Sequence, residues 1–271
     1  MVCNSYDDIG DNNLVYMINF LHVFIILADM VQVIYIIILA YFILGAIGFY
    51  FINKKKDHSS ARKSRVKFIT YFLIIHILFF SIVIKPVVFR FLAGIIIIAG
   101  FYEIFKLHKE SGFIKKRFFL LSALIFAVLA YSFFIFSGMD KNYILFAFLV
   151  ISIFDSFSQI TGQIFGRKKI FPKISPAKTV EGLAGGFIVT LISSLLFQDL
   201  IVQDNINTLK ISAGISAFAF IGDLAASYYK RMFKVKDFSN LIPGHGGFLD
   251  RFDSFIAGGA WVAISTLLLN I

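Results

Sequence analysis

Between two apolar runs near its C-terminus, the chain gathers Lys230, Arg231, Lys234, Lys236, His245, Asp250, Arg251 and Asp253. Ammonium and guanidinium groups hold phosphate oxygens, and aspartates bind hard cations. The turn Pro243-Gly244-His245-Gly246-Gly247 lets backbone N–H groups come close to a ligand. Together they predict a site for a metal-bound polyphosphate at a membrane surface. Asp223 has Ser227 at i+4 and Lys230 and Arg231 one turn further on, so one helical face runs into this segment. Asp250, Asp253 and Ser254 fall in the first turn of the next apolar run, where the helix dipole alone would also favour carboxylates.

A second cationic patch lies upstream. Lys173, Ser175, Lys178 and Thr179 precede an apolar stretch, so hydroxyls, ammonium groups and free helix N–H donors converge on one anion-sized place. The plainer reading weighs as much: Thr179 as an N-cap and the lysines as orientation signals. Asp155 sits inside an apolar run with Ser152, Gln159, Gly162 and Gln163 on the same stripe. An intramembrane carboxylate costs about 2.5–3.5 kcal/mol on insertion scales, which makes Asp155 a functional candidate. Gln159 and Gln163 read as hydrogen bonds between helices, His76 as a helix contact and Arg90 as a snorkelling cation.

No Ser/His/Asp or Cys/His pairing, zinc-ligand spacing or glycine-rich phosphate loop of the Walker or dinucleotide type is present. Metal-assisted phosphoryl or nucleotidyl transfer remains, in which the protein positions groups and neutralises charge, one ion or two roughly 3.5–4 Å apart clamping the attacking and leaving oxygens. Asp223 and Asp250 are the expected ligands of Mg2+, a hard cation that keeps water and substrate phosphates. Lys230, Arg231 and His245 complete the expected catalytic group. Lys173, Ser175, Lys178, Thr179, Ser227, Lys236, Gly246, Gly247, Arg251 and Asp155 are the expected substrate contacts.

The elements that must position these residues are membrane helices. Of 271 residues 59% are hydrophobic, and the mean hydropathy is +0.85. The apolar runs approach the ~20 residues of a spanning helix rather than the ~10 alternating residues of a barrel strand. An all-α polytopic protein of eight or nine transmembrane helices is expected, with spans at roughly 31–52, 68–84, 87–105, 118–136, 143–164, 181–198, 209–229 and 252–271. The stretch 13–28 is short for a ninth. Every second loop is basic, which by the positive-inside rule puts the suspected chemistry on the cytoplasmic face of an inner membrane. Those loops account for the net charge of +10 through lipid headgroups, so nucleic acid is not an expected partner. Cys3 alone gives no disulfide framework, and Asp7, Asp8 and Asp11 replace the basic start of a cleavable leader. One membrane domain over 1–271 is expected, 1–150 supplying N-terminal helices and 151–271 the catalytic helices and loops.

Gly222-Asp223-Leu224, Ser227, Lys230-Arg231, Lys236-Asp237, Pro243-Gly244-His245-Gly246-Gly247 and Leu249-Asp250-Arg251-Phe252-Asp253-Ser254 resemble the signature of the phosphatidate cytidylyltransferase (CDP-diacylglycerol synthase) family. Upstream, Phe165-Gly166-Arg167, Pro172-Lys173-Ile174-Ser175-Pro176 and Lys178-Thr179-Val180-Glu181-Gly182 resemble its second block. Departures at Ala226, Phe157-Ser158-Gln159 and Phe238-Ser239 mark a divergent branch. The resemblance implies an integral membrane enzyme that transfers CMP from CTP to a lipid phosphate, with Mg2+, alone or together with K+, around Asp223 and Asp250. Two other classes stay open from the residues: a transporter or channel using Asp155 and Gln159 as an ion path, and a CTP-dependent lipid kinase. Small residues such as Gly94, Gly185 and Gly186 permit a homodimer.

Overall fold

Several expected spans begin on residues suited to the job. Asp140, Thr179 and Asp204 precede helices, and their side chains accept the N–H of Asn142 at 2.8 Å, Gly182 at 3.1 Å and Asn207 at 3.0 Å. Pro86 opens a helix two residues after the preceding one ends at Ile84, because proline has no N–H to continue a ladder and suits a first turn.

The computed structural model describes residues 30–47, 50 and 58–269. Its helices are α1 (Met30–Ile47), α2 (His58–Ile84), α3 (Pro86–Glu110), α4 (Lys116–Phe136), α5 (Lys141–Phe165), α6 (Val180–Leu196), α7 (Asn205–Met232) and α8 (Leu249–Leu269), with a short 3-10 turn at Gln198–Leu200. Between α5 and α6 an antiparallel hairpin pairs β1 (Lys169–Phe171) with β2 (Ser175–Thr179), Lys169 opposite Thr179 and Phe171 opposite Ser175. Each of the eight expected segments overlaps one helix; residues 48–49, 51–52 and 270–271 of the first and last, and the stretch 13–28, lie outside the described residues. Residues 1–57 and 58–271 form two units. The first contributes α1; the site lies in the second.

Among the described residues six helices are long and apolar enough to cross a bilayer: α1, the Arg65–Ile84 part of α2, α3, α4, α5 and α7. The protein is an all-α, multi-pass integral membrane protein. Its surface is rich in exposed apolar side chains, among them Ile98 (71%) and Leu196 (73%), as a helix facing lipid requires. Helices in lipid gain little from apolar burial against one another, so shape must hold them. Phe89 of α3, Phe133 and Phe136 of α4 and Phe255 of α8 interlock, with ring centroids 5.6–6.4 Å apart. His76 pairs with the Phe72 carbonyl on its own helix, and Arg90 lies 4.8 Å over the Phe134 ring, so both serve packing.

Two glycine contacts matter for the site. A Cβ on Gly222 would come 2.5 Å from Ala257 Cβ and 2.8 Å from the Asp253 carbonyl, so only glycine lets α7 approach α8 beside Asp223. A Cβ on Gly182 would sit 2.7 Å from the Ser158 carbonyl, so α6 seats equally close on α5. The helix carrying Asp155 and the loop carrying Lys178 are thereby drawn together.

Candidate active site

These close approaches bring four segments to one end of the bundle. Lys178 Nζ on β2 lies 2.6 Å from Asp223 Oδ2 on α7 and 4.3 Å over the Phe220 ring. Ser227, one turn after Asp223, donates to Asp223 Oδ1 at 3.4 Å. Asp155 from α5 and Asp253 from α8 lie within electrostatic range of Asp223 and of each other, and the Ser254 side chain is close to Asp155. The Asp223 side chain remains 37% exposed, so the cluster is open to a ligand. It combines three carboxylates with one touching ammonium, an arrangement whose repulsion is relieved by protons or by further cations.

The glycine loop is built differently. Lys230 Nζ and Asp250 Oδ1 are 2.5 Å apart with side chains 10% and 2% exposed. Asp250 Oδ2 accepts the N–H of Phe238 and of Gly247, each at 2.8 Å. Lys230 also lies 5.3 Å over the Phe238 ring, which stacks on Tyr229. Gly246 has φ +87, where a side chain is strained, and a Cβ there would lie 2.7 Å from Asp250 Oδ2. The sequence suggests that this turn offers its N–H groups to a ligand; the Gly247 N–H instead serves Asp250.

The rest of the loop leans on α2. Thr70 donates to the Pro243 carbonyl at 3.2 Å, and the Tyr71 and His245 rings stack at 6.3 Å. Arg251 Nε donates to the His245 carbonyl at 3.0 Å. Burial, then the nearby charge of Arg251, and least of all Lys67, hold His245 below the ordinary histidine value of 6.5, against an opposing hydrogen bond to Pro243.

The remaining sequence-predicted residues divide. Thr179 caps α6, as its plainer reading had it. Arg231 donates to the carbonyls of Ile174 (3.2 Å) and Val235 (2.7 Å), tying the hairpin to the end of α7. Lys173 at the hairpin turn and Lys236 after α7 are exposed, and Ser175 is half-buried at the start of β2. The hairpin itself was not anticipated. Its signal was present, because Phe171 and Ser175 each precede a proline and are biased to extended backbone. Sequence reasoning also missed Tyr71, within electrostatic range of Asp155 and Arg251, and Glu103, a carboxylate inside α3 that reaches the loop. Glu103 carried the same intramembrane signal as Asp155.

The two aspartates expected to hold a metal have different partners. Asp250 gives its oxygens to Lys230 and two N–H groups, whereas the carboxylates within range of Asp223 are Asp155 and Asp253. Among the described residues no three His, Cys, Asp or Glu side chains meet as a ready-made metal cage. The exposed Asp223 carboxylate still fits a hard cation that takes its other ligands from water and phosphate.

Residues 118–269, which hold all of these groups except those on α2 and α3, match the Cytidylyltransferase family, and the chain belongs to that family. Among the proteins it resembles, the phosphatidate cytidylyltransferase of Bacillus subtilis is 40% identical over 153 residues, 54% of this chain and 55% of that one. Those of Staphylococcus saprophyticus and Staphylococcus haemolyticus are 48% and 45% identical over 118 residues, 42% of this chain and 45% of theirs. The chain thus spans about half the length of the curated relatives it matches.

Proposed function

We propose that the protein transfers CMP from CTP to a lipid phosphate, phosphatidate being the acceptor, to give CDP-diacylglycerol and pyrophosphate. The observation that carries this reading is the open Lys178–Asp223 pair beside Asp155 and Asp253, inside the segment that matches the family. The relatives, phosphatidate cytidylyltransferases, supply the nucleotide and lipid class.

In the reaction an oxygen of the acceptor phosphate attacks the α-phosphorus of CTP. A new P–O bond forms, the bond from the α-phosphorus to the oxygen bridging the β-phosphorus breaks, and its electron pair leaves with pyrophosphate. No covalent enzyme intermediate is needed, so positioning and charge neutralisation are the protein's task. Lys178 supplies positive charge beside Asp223, while the exposed Lys173 and Lys236 attract polyphosphate to the surface. Asp223, the exposed carboxylate of the cluster, would hold Mg2+, alone or with K+, with water and substrate phosphates as its other ligands; bound there it would neutralise the triphosphate and the developing charge on the leaving group. Asp250 and Lys230 keep the loop in shape beside this group. The basic loops favour a site facing the cytosol from the inner membrane.

Purified protein in lipid would be given Mg2+, phosphatidate and CTP labelled at the α-phosphorus, and separately at the γ-phosphorus. Label from the α position in the lipid product supports nucleotidyl transfer, and label from the γ position identifies a CTP-dependent kinase instead. If no label enters phosphatidate or other lipid phosphates, the reading fails.

A further inference from the structure

Glu103 sits on α3, outside the matched segment, and is fully buried (0% exposed). Its Oε1 accepts the Ser239 hydroxyl at 2.6 Å and the Phe248 N–H at 2.9 Å, and its Oε2 accepts the Leu249 N–H at 2.8 Å. None of the three ion pairs among the described residues includes it. A carboxylate removed from water without a paired cation is held by its hydrogen bonds and by the positive end of a helix. Glu103 meets both conditions, since Leu249 begins α8. Gly247 makes the approach feasible, because any Cβ there would run into the Glu103 carboxylate.

The consequence reaches the open cluster. The first turn of α8 carries Asp250, which pairs with Lys230, Asp253, which lies within electrostatic range of Asp223, and Ser254, whose side chain is close to Asp155. We infer that Glu103 is a positioning residue: through Ser239, Phe248 and Leu249 it fixes the glycine loop and the start of α8, and so sets Asp253 and Ser254 against Asp223 and Asp155. It also occupies α8 N–H donors that would otherwise invite a phosphate, which leaves anion binding to the lysines. The role in turnover rests on the nucleotidyl-transfer reading; the hold on the loop does not.

The test uses the full chain in lipid with Glu103→Gln and Ser239→Ala. Glutamine keeps one accepting oxygen and turns an amide donor toward the remaining N–H group, while alanine removes one of the three contacts. Hydrogen exchange at Phe248 and Leu249 in Glu103→Gln should rise roughly tenfold or more while the α4 core holds its rate. Per folded molecule, kcat should fall about tenfold to a hundredfold with the KM for lipid little changed, and Ser239→Ala should show the same pattern more weakly. Unchanged exchange at the loop overturns the inference, as does faster exchange with wild-type kcat and KM per folded molecule. If Glu103→Gln does not fold, Ser239→Ala decides by the same two readouts. A wild type that makes no CDP-lipid overturns the proposed function instead, and exchange alone then decides whether Glu103 holds the loop.

Discussion

Two lysine–aspartate pairs stand side by side in this molecule, Lys178–Asp223 at 2.6 Å and Lys230–Asp250 at 2.5 Å. Their lengths hardly differ, but their surroundings do. The first has side chains 18% and 37% exposed and two further carboxylates within electrostatic range; the second has side chains 10% and 2% exposed and two backbone N–H groups on the same aspartate. An open, charge-unbalanced pair is ready to exchange partners with an incoming cation or phosphate. A closed and hydrogen-bonded pair holds its backbone in place. The comparison shows that exposure and remaining partners, rather than distance, separate a working pair from a structural one.

The comparison is broken most severely at Asp223. Asp223→Asn keeps the shape and its place beside Ser227 but removes charge from the open cluster. CDP-lipid formation should drop by roughly a hundredfold or more in kcat with little loss of thermal stability, measured with labelled CTP and a melting curve on the same preparation. An active Asp223→Asn would mean that the open pair is not where the chemistry occurs.

Breaking the closed pair should move stability first. Lys230→Met leaves a buried carboxylate without its cation, which costs about 3–5 kcal/mol. Lys230→Met with Asp250→Asn should recover part of that loss, because the orphaned charge is gone and the asparagine oxygen still faces the N–H groups of Phe238 and Gly247. Thermal unfolding of the single and double variants checks this, and a Lys230→Met as stable as wild type would erase the distinction between the pairs. The opposite profile is expected at Lys178. Its pair is partly exposed and contributes about 0–1 kcal/mol, so Lys178→Met should melt near wild type while the KM for CTP rises about tenfold.

Much of this was legible beforehand for a simple reason: a spanning helix writes itself as an apolar run, and α1–α8 all fall on expected runs. The charged residues of 223–254 were legible as a group because they break such runs. What could not be read was the allocation of partners. Asp223 and Asp250 look alike in sequence, and only the close approach at Gly222, which brings α8 and Asp253 beside Asp223, tells them apart. Ser239 and Glu103 meet across 136 positions of chain, a contact no spacing rule reaches. The hairpin at Lys169–Thr179 was hidden by its lysines, which read as orientation signals before they read as strand.

The smallest effect belongs to His245, which joins the glycine loop to α2 through Tyr71. Burial, with Arg251 and Lys67 nearby, keeps its folded-state value below 6.5, so near pH 7 the ring is neutral in the folded protein. Above 6.5 folded and unfolded chains both carry a neutral ring and its titration has no effect. As the pH falls below 6.5 the unfolded chain takes up the proton first, so stability drops until the depressed folded value is passed. His245→Gln removes that proton uptake. Melting temperatures of wild type and variant should therefore lie closer together at pH 5 than at pH 7.5, if the wild type is the more stable at the higher pH. Equal differences at both would show that His245 titrates as in the unfolded chain. The loop would then be more open to water than the closed Lys230–Asp250 pair beside it, and the contrast between the two pairs would weaken where they adjoin.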